Sequence, residues 1–560
     1  MLIRILVAWS CCCVHSACGQ EPNPHLPAAA TDVGFLELPS IASELASFDD
    51  VATLLQAEQH RLTTLENRLV ELERQSDTVA ATVTPAEPPK ESQQRPGRPA
   101  KEAPKGDPYE VGTDLSLGVR WDQGLQAEST NKDFRVKVGG RTQIDTTAFS
   151  ASPGPNQSPN QAGLDPPLAD TVNLRRARLR VEGRMYEVYD WVCEYDFANQ
   201  INVNNATYPT ERDTGPLPSM TDMWLQVREL PILGTVRVGN QKDPYGFEHL
   251  TSSRWLNFME RSFSQDAFEG PFNGGFVPGI QVLNKAYDGR LAWQVGEFKN
   301  VSNPFGFSNY DGGSQTVGRF IMLPLYEDEG RKLIHLGVSG RTMGLRDGQV
   351  RFRSRGEIRN SPSGPLNSIY ADSGVLRGSW QNMLGLEFVG NNGPWSFQSE
   401  YFGSWLYDGI TTNKGPYVTN GLQPPPGTHV GTVYYQGGYV EVFYFLTGES
   451  RSYSLIESRF DRPIPHNNFY VVRDASRRLR WKFSEGAWQV GARYNYLSLD
   501  DSKVNGGVLN SVTLGLNWLL NPNARVYFNY DFTYRNFVNV NNVNGSGGIN
   551  GFGMRLALDF

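Results

Sequence analysis

The sequence predicts an all-β protein: a transmembrane antiparallel β-barrel of about sixteen strands, preceded by a short N-terminal coiled-coil helix and a disordered linker. Two observations carry this prediction. From residue 133 onward, short segments alternate apolar and polar residues, and turns rich in Gly, Asn, Pro and Asp separate them. The N-terminus resembles an export signal, yet no later stretch of about 18 apolar residues could cross a membrane as a helix. An exported chain of this kind is either soluble or a barrel.

Residues 1–17 are predicted to be a signal peptide. A basic residue precedes a short apolar stretch, and Ser16 and Ala17 offer a cleavage site. Cys18 leaves a lipoprotein alternative open, although His15 stands where a lipidation motif would carry leucine. Because three of the five cysteines lie in the signal itself, the mature chain has no disulfide framework.

Residues 41–79 are predicted to form a coiled coil. Apolar residues recur at heptad spacing over about five heptads, with two acidic interruptions in the first half. Such a helix would extend about 55 to 60 Å. A lone amphipathic helix is the alternative, but the stretch has no other part to pack on. Residues 80–132 follow as a linker, because Pro, Glu, Lys and Gln dominate residues 80–108.

Residues 133–560 are predicted to form the barrel. The stretches "FRVKVGGRTQID" (134–145), "WQVGARYNY" (488–496) and "VTLGLNWLLNPNARVYFNYDF" (512–532) each place an apolar row opposite a polar row. On a strand, successive side chains point to opposite faces, so one row would contact lipid and the other a watery lumen.

Alternation also occurs in soluble β-sandwiches, so further features must decide between the two. Aromatic residues cluster near the strand ends, and short turns alternate with long polar loops, as in outer-membrane barrels. A closed barrel also pairs every backbone group without a long apolar run. Phe560 closes an alternating strand, which is typical of such barrels and predicts recognition by the barrel-assembly machinery. At about 27 residues per strand and connection, the region holds roughly sixteen strands.

Four segments resemble the phosphate-selective porin O and P family. They are "RRARLRVEGRMYEVYDWVCEYDF" (175–197), "RVGNQKDPYGFEHLTSSRWLNFMERSF" (237–263), "YVEVFYFLTGES" (439–450) and "GLNWLLNPNARVYFNYDF" (515–532), in the order that the family has them. The resemblance covers residues 133–560. It implies a sixteen-stranded outer-membrane barrel, usually trimeric, that passes anions; phosphate or polyphosphate is the cargo of characterised members. The basic loop cluster of the phosphate-selective members has no local match here, so its residues are not carried over.

The stretch "LRRARLR" (174–180) raises the question of an anion path. Arginine suits that task because it stays charged and can bind phosphate through two parallel hydrogen bonds. The candidates predicted to face the lumen are Arg135, Lys137, Arg141, Arg176, Arg178, Arg180, Arg237 and Arg493. Two other basic stretches add Arg351, Arg353, Arg355, Arg359, Arg478, Arg480 and Lys482.

A second interpretation treats some of these arginines as parts of the wall. If the hairpin folds near residue 187, Arg178 lies opposite Asp196 and Arg180 lies opposite Glu194. Opposite charges placed across strands support a sheet instead of attracting anions. Arg176 would then face an alanine and be the freer cation.

Residues 243–275 form a long and unusually aromatic connection. Its composition predicts packing, as a constriction loop inside the barrel or as a contact between subunits. The alternative is that Trp255, Phe258 and Phe263 plug it against the wall. Arg254 and Arg261 are its candidate pore cations.

The net charge of −7 argues against a general nucleic-acid binder. Neither a nucleophile elbow nor a phosphate-binding glycine loop is present, and the seven histidines show no paired metal spacing. We therefore expect no enzyme, no cofactor and no metal site.

The leading expectation is a passive anion channel of the outer membrane. A general porin is one alternative. The other is an envelope tether, in which the barrel anchors a periplasmic coiled coil that reaches toward peptidoglycan. Expected partners are outer-membrane lipid and two further copies of the chain, associated through barrel and coiled coil.

Overall fold

The computed structural model describes residues 109–158, 162–201, 217–269, 275–299, 313–345, 348–361, 367–412, 425–473, 476, 479–482, 485–501, 504–538 and 542–560. The predicted signal peptide and coiled coil lie outside these ranges and stay predictions. So does the first part of the predicted linker.

Strands dominate the described residues. In chain order they are β1 (Leu117–Trp121), β2 (Leu125–Ser129), β3 (Arg135–Ala151), β4 (Thr171–Met185), β5 (Tyr189–Ile201), β6 (Leu217–Leu230), β7 (Gly234–Lys242), β8 (Phe276–Ala286), β9 (Leu291–Lys299), β10 (Ser314–Glu327), β11 (Lys332–Gly344), β12 (Gln349–Arg355), β13 (Ile369–Arg377), β14 (Trp380–Asn392), β15 (Trp395–Thr411), β16 (His429–Phe445), β17 (Tyr453–Ser454), β18 (Arg459–Phe460), β19 (Tyr470–Arg473), β20 (Leu479–Lys482), β21 (Ala487–Asp501), β22 (Val504–Asn521), β23 (Ala524–Asn536) and β24 (Gly547–Asp559).

Helical structure within the described residues is short. The helices α1 (Phe247–Leu250) and α2 (Phe263–Phe268) both lie between β7 and β8, and a single 3-10 turn (Asp328–Gly330) joins β10 to β11. Among the residues that the structure describes, no helix is long and apolar enough to cross a membrane.

Sixteen strands form a closed antiparallel barrel. They are β3 to β11, β14 to β16 and β21 to β24, each paired with its neighbour along the chain. The barrel closes where β24 pairs with β3, from Ile549 opposite Ala151 to Asp559 opposite Arg141. Closure leaves no free edge, so every strand finds backbone partners on both sides. The predicted fold class and strand number are confirmed.

The two faces of each barrel strand separate as the alternation predicts. On β22, Val512 and Leu514 point outward and are 45% and 51% exposed, whereas Ser511 and Thr513 point inward and are 2% and 1% exposed. An apolar outer face and a polar inner face are what a barrel in lipid requires.

Outward aromatic pairs lie near both ends of the barrel. Trp488 and Trp518 stack with ring centroids 5.0 Å apart near one end. Trp405 and Tyr434 pack with centroids 5.0 Å apart near the other. Amphipathic rings at these levels match the aromatic girdles at the two membrane interfaces.

The connections differ between the two ends. One end carries short turns at residues 186–188, 231–233, 287–290, 328–331, 393–394 and 522–523, and most connections at the other end are longer. We call the first the short-turn end. One connection at this end, residues 446–486 between β16 and β21, is long. We call its described residues the short-turn segment, after the end of the barrel at which they lie.

The last part of the predicted linker is folded, and this corrects its boundary. Strands β1 and β2 form a hairpin, and β2 continues the sheet by pairing Leu125 with Val138 of β3. Apolar residues alternate along this stretch at Leu117, Val119 and Trp121. That period favours a strand, whereas the Pro-rich composition that marks a linker ends before residue 109.

Candidate channel lumen

The described residues 243–269 and 275 fold into the barrel, and we call them the constriction segment. Its aromatic side chains pack on the inner wall: the Phe258 and Phe443 ring centroids are 4.8 Å apart, and Phe263 and Phe268 are fully buried. Its basic side chains Arg254 and Arg261 line a cavity on the other side. One side of this segment therefore packs on the wall, and the other side faces open space.

Buried ion pairs anchor the constriction segment to the wall. Glu260 accepts hydrogen bonds from Arg175 at 2.8 Å and from Arg555 at 2.7 Å. Arg493 donates to Glu248 at 3.0 Å. Burial by itself would raise the pKa of Glu260, but the surrounding arginines hold that pKa well below its usual range. We call these five residues the anchor region.

A β-bulge explains why Arg175 reaches the lumen. The register pairs Gln143 with Arg176 but Ile144 with Leu174, so Arg175 is an extra residue on its strand. Consecutive residues normally point to opposite faces, and the bulge lets both arginines point inward.

The bulge also overturns the expectation for Arg176. It is not the freer cation: it is 5% exposed, donates to Gln143 at 2.7 Å and lies 3.5 Å from Glu260. The prediction assumed unbroken alternation up to Ala198, and an inserted residue changes which partners lie across the sheet.

The predicted pairing of the next two arginines is confirmed. Arg178 lies opposite Asp196, and its Nε is 2.7 Å from the carboxylate. Arg180 lies opposite Glu194. Glu194 also accepts from Arg141 at 2.9 Å. The short turn at residues 186–188 fixes this register.

A cavity of about 740 Å³ opens at the short-turn end, between the constriction segment, the short-turn segment and the wall. We call it the cationic cavity, because twelve Lys and Arg side chains line it against six Asp and Glu. The predicted site residues among its lining are Lys137, Arg141, Arg178, Arg180, Arg237, Arg254 and Arg261.

Five cations of this cavity have no carboxylate within ion-pair distance among the described residues: Lys137, Arg237, Lys242, Arg261 and Lys285. Arg237 lies 4.0 Å from the Trp224 ring and donates to Gln226 at 2.8 Å. Arg261 donates to two backbone carbonyls, at 3.0 and 2.7 Å. Lys242 likewise donates to carbonyls. Burial lowers the pKa of Arg261 to about 10, so it stays charged at neutral pH.

Besides Arg176, two predicted site residues do not line this cavity. Arg493 is 1% exposed and lies within 3.6 Å of three carboxylates, those of Glu248, Glu357 and Glu441. It is an anchor of the wall and not a free cation. Arg135 lies at the rim, opposite Glu128 of β2, and does not line the cavity.

The other basic stretches have structural partners where the structure describes them. The described residues between 345 and 379, which include β12 and β13, also fold into the lumen. There Arg351 pairs with Asp372, and Arg359 lies 2.9 Å from Asp266. Arg478 lies outside the residues that the structure describes, and so do the side chains of Arg480 and Lys482.

Sequence reasoning missed several cavity cations. They are Arg228, Lys242, Lys285, Arg459 and Arg462. Arg459 and Arg462 come from the short-turn segment, whose Arg451 also donates to the carbonyl of Trp255 at 2.7 Å. The length of residues 446–486 could have revealed this segment, because the other connections at this end of the barrel are short turns.

A sixteen-stranded barrel with an apolar outer face, aromatic girdles and a lumen narrowed by inward segments defines a porin-type channel of the outer membrane. The chain belongs to the phosphate-selective porin O and P family, whose sequence profile matches residues 136–560.

The chain is also similar to individual proteins. An uncharacterised protein of Caulobacter vibrioides is 26% identical over 548 residues, covering 93% of this chain and 92% of the relative. Porin O of Pseudomonas aeruginosa is 24% identical over 458 residues, covering 79% and 92%. Among solved structures, the outer membrane channel DcaP of Acinetobacter baumannii is 9% identical, covers 77% of this chain and 99% of its own, and has a TM-score of 0.42.

Proposed function

We propose that this porin passes small anions in preference to cations, with phosphate or polyphosphate as cargo. The observation that supports it most directly is the excess of Lys and Arg over Asp and Glu around the cationic cavity. Coulomb attraction is weak in bulk water, so selectivity needs cations in a narrow and partly desolvated passage. The constriction segment provides such a passage.

Arg237, Lys242 and Arg261 are the residues we propose to contact the anion first. None of them has a carboxylate within ion-pair distance among the described residues, and all three line the cationic cavity. Arg178 and Arg180 contribute less, because Asp196 and Glu194 offset their charge. Phosphate is favoured over a monovalent anion because it carries more charge and more hydrogen-bond acceptors.

The barrel asymmetry suggests an orientation. Outer-membrane barrels carry short turns on the periplasmic side, so we place the cationic cavity at the periplasmic mouth. We also propose a homotrimer, as the family resemblance implies. Native mass spectrometry of the purified protein checks this, and a monomeric mass would contradict it.

The reversal potential in a planar bilayer under a KCl gradient tests the selectivity. We expect a potential of the sign that chloride permeation produces. We also expect the chloride current to fall when phosphate is added at low concentration. A reversal potential near zero would refute anion preference, and the channel would then be a general porin whose arginines are neutralised by carboxylates.

A tethering role for the N-terminal region is a second proposal, supported by the heptad pattern of residues 41–79. Deleting residues 41–108 should leave conductance unchanged and weaken the attachment of the outer membrane. Unchanged sensitivity of the cells to detergent after the deletion would contradict the tether.

A further inference from the structure

Three side chains with metal-ligating atoms meet at the base of the constriction segment. Asp243 follows β7 directly, His249 lies in α1, and Glu269 follows α2. One ligand atom of each lies within 4.8 Å of the other two. All three residues are buried, with at most 2% exposure.

Several atoms of this cluster have no hydrogen-bond partner. Both ring nitrogens of His249 are buried and make no hydrogen bond, and the same is true of Oδ1 of Asp243. His249 Nε2 lies 3.5 Å from Asp243 Oδ1. A buried polar atom without a partner is costly, and buried polar groups in proteins are almost always satisfied. The unpaired atoms of His249 and Asp243 lie beside the carboxylate of Glu269.

Neighbouring groups hold the two carboxylates in place. Arg341 donates to Asp243 Oδ2 at 2.5 Å and to Glu269 Oε2 at 2.7 Å. Gln315 donates to Asp243 Oδ2 at 3.0 Å. Both oxygens of Glu269 contact this guanidinium, since Oε1 also lies 2.6 Å from Nη2 of Arg341, whereas Oδ1 of Asp243 stays available. Carboxylates that bind metals are commonly oriented by hydrogen bonds of this kind.

Gly275 fixes the position of the imidazole. Its φ is +80°, and a Cβ at this position would lie 1.9 Å from Cε1 of His249. The ring therefore occupies space that a larger residue would take. Any side chain at position 275 would push the ring away from the carboxylates.

We propose that Asp243, His249 and Glu269 bind one divalent transition-metal ion, with Zn²⁺ as the best match. One imidazole nitrogen and two carboxylate oxygens are accepted zinc ligands, at about 2.0 to 2.2 Å from the metal. Closing the cluster to that distance needs side-chain shifts on the order of 1 Å. The two carboxylates offset the charge of the ion.

The proposed ion would join the two ends of the constriction segment. Asp243 is its first residue, and Glu269 follows its second helix. A metal that closes a loop of this length stabilises the folded arrangement of the loop. The inference does not depend on the ion selectivity of the channel.

Metal titration of the purified porin in detergent tests the site. The protein is stripped with EDTA, dialysed, and titrated with Zn²⁺ by calorimetry and with Co²⁺ by visible absorption. We expect one Zn²⁺ per chain and cobalt d–d bands. His249→Asn and Glu269→Gln should each weaken zinc binding about 100-fold or more. His429→Asn, at an exposed histidine on β16, is the matched control and should bind zinc as the wild type does.

Two results would overturn the proposal. One is no stoichiometric zinc uptake by the wild type. The other is equal zinc affinity in His249→Asn and the wild type. If His249→Asn fails to fold, Gly275→Ala replaces it, because this change displaces the ring but removes no ligand atom. We expect it to weaken zinc binding about tenfold, and an unchanged affinity would refute the site.

Discussion

The lumen has two regions lined with arginine, and they differ in what the arginines face. In the anchor region, Arg175, Arg493 and Arg555 contact carboxylates of the constriction segment at 2.7 to 3.0 Å and are almost fully buried. Around the cationic cavity, basic side chains outnumber acidic ones, and Arg237 and Arg261 have no carboxylate within ion-pair distance among the described residues. Arginine therefore forms buried ion pairs in the anchor region and a positively charged lining around the cationic cavity.

The comparison teaches that the position of arginine on an inward-facing row does not by itself assign its role. A buried ion pair is weak evidence for net stability, but removing one partner leaves an uncompensated buried charge. A cation that faces open space can attract a permeating anion. The partner of each arginine decides which case applies.

Breaking the anchor region should give the largest effect. Glu260→Gln leaves Arg175, Arg176 and Arg555 buried without their shared carboxylate, and we expect the free energy of unfolding to fall by about 3 to 5 kcal/mol. Urea unfolding of the barrel in lipid vesicles measures it. Glu182→Gln, at a partly exposed carboxylate, is the control and should cost less than about 1 kcal/mol. A loss below 1 kcal/mol for Glu260→Gln would show that the pairs do not anchor the segment.

Removing cations without a carboxylate partner from the cavity should change the selectivity of the channel. The double variant Arg237→Gln/Arg261→Gln is expected to lower the chloride-to-potassium permeability ratio about threefold or more, since both charges face the passage. The reversal potential under a KCl gradient measures this. Arg120→Gln removes one charge from the exposed hairpin outside the cavity and should leave the ratio unchanged. An unchanged ratio in the double variant would place the ion path elsewhere.

Freeing a paired cation should give the smallest effect and in the opposite direction. Asp222 lies 3.1 Å from Arg180 and lines the cavity. Asp222→Asn removes this counter-charge, so the chloride-to-potassium permeability ratio should rise, by about twofold or less, because the pair is partly solvated. Bilayer recordings of this variant beside the wild type decide it. A fall in the ratio would contradict the view that pairing limits the contribution of Arg180.

The sequence by itself determined the barrel and the faces of its strands. A period of two residues needs no tertiary knowledge, since it follows from the geometry of a single strand. The pairing of Arg178 with Asp196 was also accessible, because one short turn sets the register of two neighbouring strands. Both inferences depend only on residues that lie close together in the sequence.

Tertiary structure decided which cations are free. Arg175 finds its carboxylate 85 residues away and Arg555 finds one 410 residues away, so no local pattern could predict either pair. The bulge that turns Arg175 inward is a single inserted residue without a distinctive motif. The cluster of Asp243, His249 and Glu269 also lacks a sequence spacing that marks a metal site, because two short helices and a turn, not one regular element, bring it together. Regular strands repeat their geometry, whereas the segments that fill the lumen take theirs from the wall on which they pack.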